Sequence, residues 1–459
     1  MLAYLCHGAG FQPRPSQPAP STSPASSPPY NIPSISSATT THNPPGQAPI
    51  HGCHPSAITN IHFHDFPTPH FSNPLPDPNS DMKFPTQILP LLRASTLLRQ
   101  PVYDLVQGIS ATVGRVVVVY DSMMPYVVQD VYNIPNAESY CFQSISAFSL
   151  YSFYWEATGK PVLPTEAEIV GQVPSMEGCF PPEFSEISKL QQNARNFNSG
   201  DLYNTSRVIE GLFVDLLAKE KTTGTEKNWA VGPFNPVSIP QRKDIDHISG
   251  KCMEWLDKQE LNSVIFVSFG TTSSLSNEQI SELALGLERS EQKFIWVLRD
   301  ADKGDVFEGE VRRAPLPGKY EERVEGRGLI VRDWAPQLEI LGHPSTGGFI
   351  SHCGWNSCIE SISMGVPIAA WPMHSDQPRN AVLITKVLRI GVEIKDWNRR
   401  DEVVSSREVE KGVRRLMASA EGDEIRKRAQ ELGDAVRKSV MKGGVSNMEM
   451  DDFIAHISR

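Results

Sequence analysis

From residue 263 onward the chain alternates short apolar runs with amphipathic stretches, and this rhythm restricts the fold more than any other feature. Ser263-Val-Ile-Phe-Val-Ser-Phe269 is a strand pattern, and Asn277 to Leu287 has helical spacing. Lys293 to Leu298, Gly328 to Val331, Gly347 to Ile350 and Pro367 to Trp371 read as further strands. Alternating β and α segments imply a parallel sheet with helices on both faces. Earlier in the chain, Arg115-Val-Val-Val-Val-Tyr-Asp121 is a continuous apolar run of the kind that forms a buried parallel strand. Lys83 to Val106 and Pro125 to Val131 flank it with helical spacing. Ligands of open parallel sheets bind outside the carboxyl ends of the strands, so the residues to watch are those that follow strands.

At roughly 100–200 residues per domain, a chain of 459 residues holds two cores. Residues 1–50 are rich in Pro, Ser and Thr and poor in large apolar side chains, a composition that cannot repay its ordering entropy. Asn235 to Lys251 contains two prolines and no periodicity, and reads as a linker. The expected organisation is an atypical segment 1–50, a first α/β domain 51–240, a second 252–440, and a charged helical end 441–459 that crosses back to the first domain.

A net charge of −10 argues against general nucleic-acid binding, which needs clustered Lys and Arg. The seven cysteines are scattered, with no CxxC pair, so neither a disulfide framework nor a zinc site is implied. Free thiols suit a reducing compartment, no apolar run is long enough to span a bilayer, and the start does not resemble a signal peptide; a cytoplasmic protein without membrane contact is expected.

The richest stretch runs from Trp334-Ala-Pro-Gln337 through His352-Cys-Gly-Trp-Asn-Ser-Cys-Ile-Glu360 to Asp376-Gln377. A strand over Gly347–Ser351 would deliver His352-Cys-Gly354 as a turn, followed by a helix from about Asn356 to Gly365. Asn356 and Ser357 would then lie at a helix N-terminus, where unpaired N–H groups and the dipole favour an anion such as a pyrophosphate. A ligand-free reading also exists: Ser357 and Glu360 have capping-box spacing, and Asn356 could be a plain N-cap. The same turn carries His352 and Trp355, which neither capping nor core packing requires. Asp121 closes the valine strand, where it is either a site carboxylate or a turn residue. A nucleotide-cofactor oxidoreductase would need G-x-G-x-x-G after its first strand; Gly270-Thr-Thr-Ser-Ser-Leu lacks the later glycines.

Trp334 to Gln377, 44 residues long, resembles the complete signature box of plant family-1 UDP-glycosyltransferases, with W-A-P-Q, H-C-G-W-N-S, E and D-Q at the family's spacing. The resemblance extends from about Ser37 to the C-terminus. Ser139 to Ser146 and Pro372-Met-His-Ser-Asp-Gln-Pro-Arg379 are similar to the zeatin (cytokinin) O-glucosyltransferase branch. The resemblance implies two Rossmann-like domains facing across a cleft (GT-B type), a monomer, and inverting sugar transfer to a hydroxyl of a small acceptor, without a metal or other cofactor. It implies that Trp334 stacks on uracil and that Ala335 and Gln337 meet the base edge. Glu360 would accept from the ribose hydroxyls, and His352, Asn356 and Ser357 would hold the phosphates. Trp355, Asp376 and Gln377 would line the sugar, with Thr271 as a further donor contact. A terminal Gln in the box is similar to glucose users, so UDP-glucose leads and UDP-xylose follows.

In the resembled family Asp121 orients a histidine that takes the acceptor's proton, and that histidine sits in a turn after the first strand. Counted back from Ser37-Ala-Thr-Thr-Thr-His42, it should fall near Arg14-Pro-Ser-Gln-Pro18, where there is no histidine. The expectation is therefore a first domain without its first strand and without its base. His7 has no recognisable apolar strand before it, while His62 and His64 read as the polar face of a strand. Either a reading-frame error in the first fifty residues or a true loss of the strand would explain the pattern. The alternative function is then a UDP-sugar-binding protein with impaired catalysis.

Overall fold

The computed structural model describes residues 2–6, 34–38, 61–64, 66, 77, 80 and 82–459, the last stretch without 195–196, 221–226, 240–246, 271–272, 299–314 and 333. Seven strands form the first sheet: β1 (Leu2–Cys6), β2 (Ser34–Ala38), β3 (Ile61–Phe63), β4 (Val116–Asp121), β5 (Ala137–Gln143), β6 (Asp201–Tyr203) and β7 (Asn228–Ala230). Six form the second: β8 (Val264–Ser268), β9 (Lys293–Val297), β10 (Gly328–Val331), β11 (Thr346–Ser351), β12 (Ile368–Ala370) and β13 (Gly391–Glu393). Their orders are β3-β2-β1-β4-β5-β6-β7 and β10-β9-β8-β11-β12-β13. Both sheets start in the middle, run outward one way and return to run outward the other way. Each is a Rossmann-like domain with a switch point, between β1 and β4 in the first and between β8 and β11 in the second.

β4 and β8 are buried along their whole length, as continuous β-branched and apolar runs require when helices cover both faces. The expectation of a missing first strand is corrected here. Leu2-Ala-Tyr-Leu-Cys6 fills the gap between β2 and β4, pairing in parallel with both. Its run is followed by a Pro- and Ser-rich stretch rather than a helical pattern, so the sequence does not mark it as a strand of a βα unit, but the edges of β2 and β4 give its peptides partners. The remaining N-terminal stretch, including His7 and residues 14–18, lies outside the described residues.

Helices cover the sheets, among them α1 (Arg99–Ser110), α2 (Ala147–Ala157), α3 (Arg207–Lys219), α4 (Asn277–Ser290), α5 (Trp355–Met364), α6 (Gln377–Val382), α7 (Ser406–Met417), α8 (Ala420–Ser439) and α9 (Val445–Ile457). Serines start several of them. Ser146, Ser206 and Ser276 accept from N–H groups in the first turns of α2, α3 and α4, and Ser405 with Glu408 forms a full capping box on α7. Gly365 ends α5 in the left-handed conformation, with φ of 73°. The helix expected over Pro125–Val131 turns into a 3-10 segment after Val128.

The two domains share one apolar cluster. It runs from Phe148, Tyr151, Phe213 and Leu217 in the first to Ile359, Ile362, Leu383 and Ile384 in the second. Helix α9 returns to the first domain: Phe453 packs on Tyr140 and Trp229, Asp452 accepts from Trp229 Nε1 at 2.8 Å, and Glu449 pairs with Arg207. Among the described residues no helix is long and apolar enough to cross a membrane.

Helix α3 kinks at Glu210, whose carboxylate is buried and accepts from Phe148 N at 2.8 Å, at the start of α2. Burial pushes this carboxyl up to about 7, against the opposing pull of the Phe148 N–H and the Thr205 hydroxyl. A raised carboxyl favours the folded state at low pH. That contribution is full below 4.5 and is lost as pH rises through about 7. Thermal melts should therefore show the wild type losing on the order of 3 kcal/mol between these limits, and Glu210→Gln losing much less. Identical pH dependence in the two proteins would refute the assignment.

Candidate functional site

Every expected donor residue that is described lies at or after the carboxyl end of a strand of the second sheet. β10 leads to Trp334, which keeps 37% of its surface exposed, a flat indole facing solvent. Ala335 behind it is buried. Gln337 is buried too and turns inward: its Nε2 donates to Ser357 Oγ at 3.1 Å and to Glu360 Oε2 at 2.8 Å. The Gln337 side chain thereby links Ser357 and Glu360, two other expected donor residues.

β11 ends at Ser351, and the turn His352-Cys353-Gly354 follows. Cys353 has φ of 63°, an unusual conformation for a residue with a side chain. Two hydrogen bonds hold it there: Cys353 N donates to Ser351 Oγ at 3.1 Å, and Cys353 O accepts from Asn380 Nδ2 at 2.9 Å. The His352 ring sits between two glycines. A Cβ on Gly270 would come within 2.8 Å of His352 Nε2, and one on Gly354 within 2.5 Å. Only glycine leaves room for the imidazole at both positions.

Helix α5 begins at Trp355 with Gly354 as N-cap and no side-chain cap. The capping-box reading therefore fails. Ser357 and Glu360 lie inside the helix and are tied to Gln337. The leading N–H groups of Trp355, Asn356 and Ser357 precede the first intrahelical hydrogen bond, Cys358 N to Gly354 O. Asn356 is exposed beside them. Such an uncapped end, with a hydroxyl and an amide at hand, has the electrostatics that favour an anion. The Trp355 indole is buried, and Nε1 donates to Asn204 O of the first domain at 2.8 Å, so the side chain also ties the two domains together at the start of α5.

β12 delivers the last part. Gln377 Oε1 accepts from Met373 N at 2.9 Å and His374 N at 3.0 Å, closing the loop on itself. Asp376 Oδ2 accepts from Asn380 Nδ2 at 2.7 Å. Burial raises the Asp376 carboxyl to about 6, although the Asn380 amide pulls it down. Sequence reasoning assigned nothing to His374. It is buried, edge-on to Phe84 of the first domain, and burial together with His352 lowers it to about 3, so it is a neutral imidazole at working pH. Its position two residues before Asp376 was the available signal.

In the first domain, Asp121 closes β4 and is buried. Its Oδ1 accepts from Met123 N at 2.8 Å, the bond of a turn residue. Burial pushes its pKa up, with the Met123 N–H and the Ser144 hydroxyl opposing. Leu5 is in register with Tyr120, so the end of β1 lies beside Asp121. Thr271 lies outside the described residues. Among the described residues no group of three or more His, Cys, Asp or Glu is placed to hold a metal ion.

Residues 25–236 match the family described as glycosyltransferase, N-terminal domain, and residues 242–418 match UDP-glucoronosyl and UDP-glucosyl transferase. The chain is 56% identical to zeatin O-glucosyltransferase of Phaseolus lunatus, over 87% of this chain and 86% of that one. It is 55% identical to zeatin O-xylosyltransferase of Phaseolus vulgaris, over 88% of each. Its fold is similar to that of a UDP-glucosyltransferase from Polygonum tinctorium capable of glucosylating indoxyl, with a TM-score of 0.72 and 26% identity over 99% and 98% of the two chains. With two family models that together span residues 25–418 and relatives 55–56% identical over 87–88% of its length, the chain belongs to the plant family-1 UDP-glycosyltransferases.

Proposed function

We propose that the chain is an inverting, metal-independent transferase that moves glucose, and less readily xylose, from a UDP-sugar to a hydroxyl of a zeatin-type cytokinin. The observation that carries this reading is the uncapped start of α5, tied by hydrogen bonds to residues on both sides. Gln337 joins it to the segment bearing Trp334, and Asn380 joins its leading turn to Asp376. In this reading Trp334 stacks on the base and Glu360 takes the ribose hydroxyls. His352, Asn356 and Ser357 hold the phosphates, and Asp376 and Gln377 take the sugar hydroxyls. As the acceptor oxygen attacks the anomeric carbon, the bond to UDP breaks, and the diphosphate's growing charge meets the N–H groups of α5.

The acceptor's proton needs a base near Asp121. What supports His7 is its sequence position, one residue beyond a strand end paired beside that carboxylate. The cytokinin assignment rests on similarity to zeatin-modifying relatives, and the glucosyl preference on Gln377. A cytoplasmic monomer suits the five free, buried cysteines among the described residues. The test is UDP release by the purified chain with UDP-glucose or UDP-xylose, against trans-zeatin, cis-zeatin and flavonols. Release that depends on a hydroxylated cytokinin is expected. Equal rates with flavonols would overturn the acceptor, and donor binding without any release would favour the UDP-sugar-binding alternative.

A further inference from the structure

Ser146, where the Ser139–Ser146 segment ends at α2, and the Pro372–Arg379 loop meet across the domain boundary, and Asn380 is at their junction. Its side chain is fully buried and makes four hydrogen bonds. Oδ1 accepts from Ser146 Oγ at 2.6 Å and Ser149 Oγ at 2.8 Å, both on α2 of the first domain. Nδ2 donates to Cys353 O at 2.9 Å and Asp376 Oδ2 at 2.7 Å, both in the second. The amide cannot be turned over, because a carbonyl and a carboxylate on the nitrogen side can only accept.

We propose that Asn380 is a positioning residue for the donor sugar, one that fixes the Asp376 carboxylate in its ionised, sugar-facing state through a hold supplied by the first domain. This rests on the UDP-sugar reading above. The chemistry is that of one amide between two tasks. A carboxylate that accepts from sugar hydroxyls must be charged and must not rotate. The Nδ2–H bond favours the charged form and occupies one of its oxygens. Ser146 and Ser149 keep the amide aimed, and Ser146 is itself fixed as the N-cap of α2, accepting from Ser149 N at 3.1 Å. The same amide also donates to Cys353 O, while the Cys353 N–H is held independently by Ser351 Oγ, so the phosphate turn keeps a hold of its own. Docking of α2 therefore completes the donor pocket from the acceptor side.

Other titratable groups face Asp376. Arg379, on the same helix, favours its charge and is paired with Glu156 of α2 at 2.5 Å. The Cys179 thiol, raised to about 11 by burial, and Cys358 of α5, raised by burial, stay neutral, as does His374. Glu210 titrates near Cys358 but bonds to α2, not to Asp376.

The test is calorimetric titration of UDP-glucose and of UDP between about pH 5 and 8. Wild-type affinity for UDP-glucose should weaken as pH falls through the Asp376 transition; UDP, whose own terminal phosphate titrates at about pH 6, is the control by difference, its pH curve expected to be the same in wild type and variants. In Asn380→Ala the UDP-glucose limb should move up by about one pH unit, the size of one hydrogen bond to a charged group, which is about tenfold weaker binding on that limb. Ser146→Ala/Ser149→Ala should move it the same way by less, and it decides the matter if Asn380→Ala fails to fold. Glu210→Gln should leave the limb in place. Variant limbs that coincide with wild type, or UDP binding lost in parallel with UDP-glucose, would overturn the role of Asn380. A wild type that does not bind UDP-glucose would overturn the donor reading itself.

Discussion

Alanine at His7 is expected to lower turnover by roughly 10²–10⁴-fold while UDP-glucose affinity stays within about twofold, the signature of a lost general base. The physical case is made by its neighbours. β1 ends at Cys6, and its register with β4 puts that end beside Asp121. Asp121 is buried and braced by Met123 N, so it has one fixed orientation to offer an imidazole. A histidine held by a buried carboxylate keeps one tautomer and presents its other nitrogen to an acceptor hydroxyl. Asp121→Asn should then depress turnover in the same direction, with acceptor-dependent UDP release as the measurement. Unchanged turnover in His7→Ala would remove it from the mechanism and return attention to impaired catalysis.

Replacing Glu360 by alanine should weaken UDP-glucose binding on the order of 10²-fold, since two losses combine. The ribose hydroxyls lose a charged acceptor. Gln337 Nε2 also loses its 2.8 Å partner, inside a buried pocket where an amide donor left poorly matched costs about 1–3 kcal/mol. Glu360→Gln keeps the shape but sets amide against amide, so it should fall between the two. His352→Ala should also abolish tight donor binding, because the ring packed between Gly270 and Gly354 would be gone. Calorimetric titration with UDP-glucose decides these. Retained affinity in both alanine variants would contradict the assigned roles.

The second domain was largely legible in the sequence because β8 to β12 lie in apolar runs set off by polar or amphipathic stretches. β6, β7 and β13 have three residues each and stand in no longer apolar run, and they form because neighbouring strands offer edges. β1 is apolar but is followed by a Pro- and Ser-rich stretch with no helical pattern, so the sequence alone does not mark it as the start of a βα unit. In the site, the family resemblance of the 334–377 stretch points to Trp334, Ser357, Glu360 and Asp376 as donor contacts. The hydrogen bonds of Trp355 and Gln337 are not legible there, since their partners are set by the fold: Asn204 is 151 positions from Trp355. His374 and Asn380 flank Asp376-Gln377 closely, yet their meaning depends on Phe84 and on Ser146 and Ser149, which no local pattern announces.

The apolar cluster that spans both domains has a consequence for recombining relatives. A cleft whose walls share a core cannot exchange one wall for that of a cousin without also exchanging what faces it. A chimera joined in the linker keeps the donor motif letter for letter, and its fit along the seam then depends on the residues that meet Phe148, Tyr151, Ile362 and Leu383.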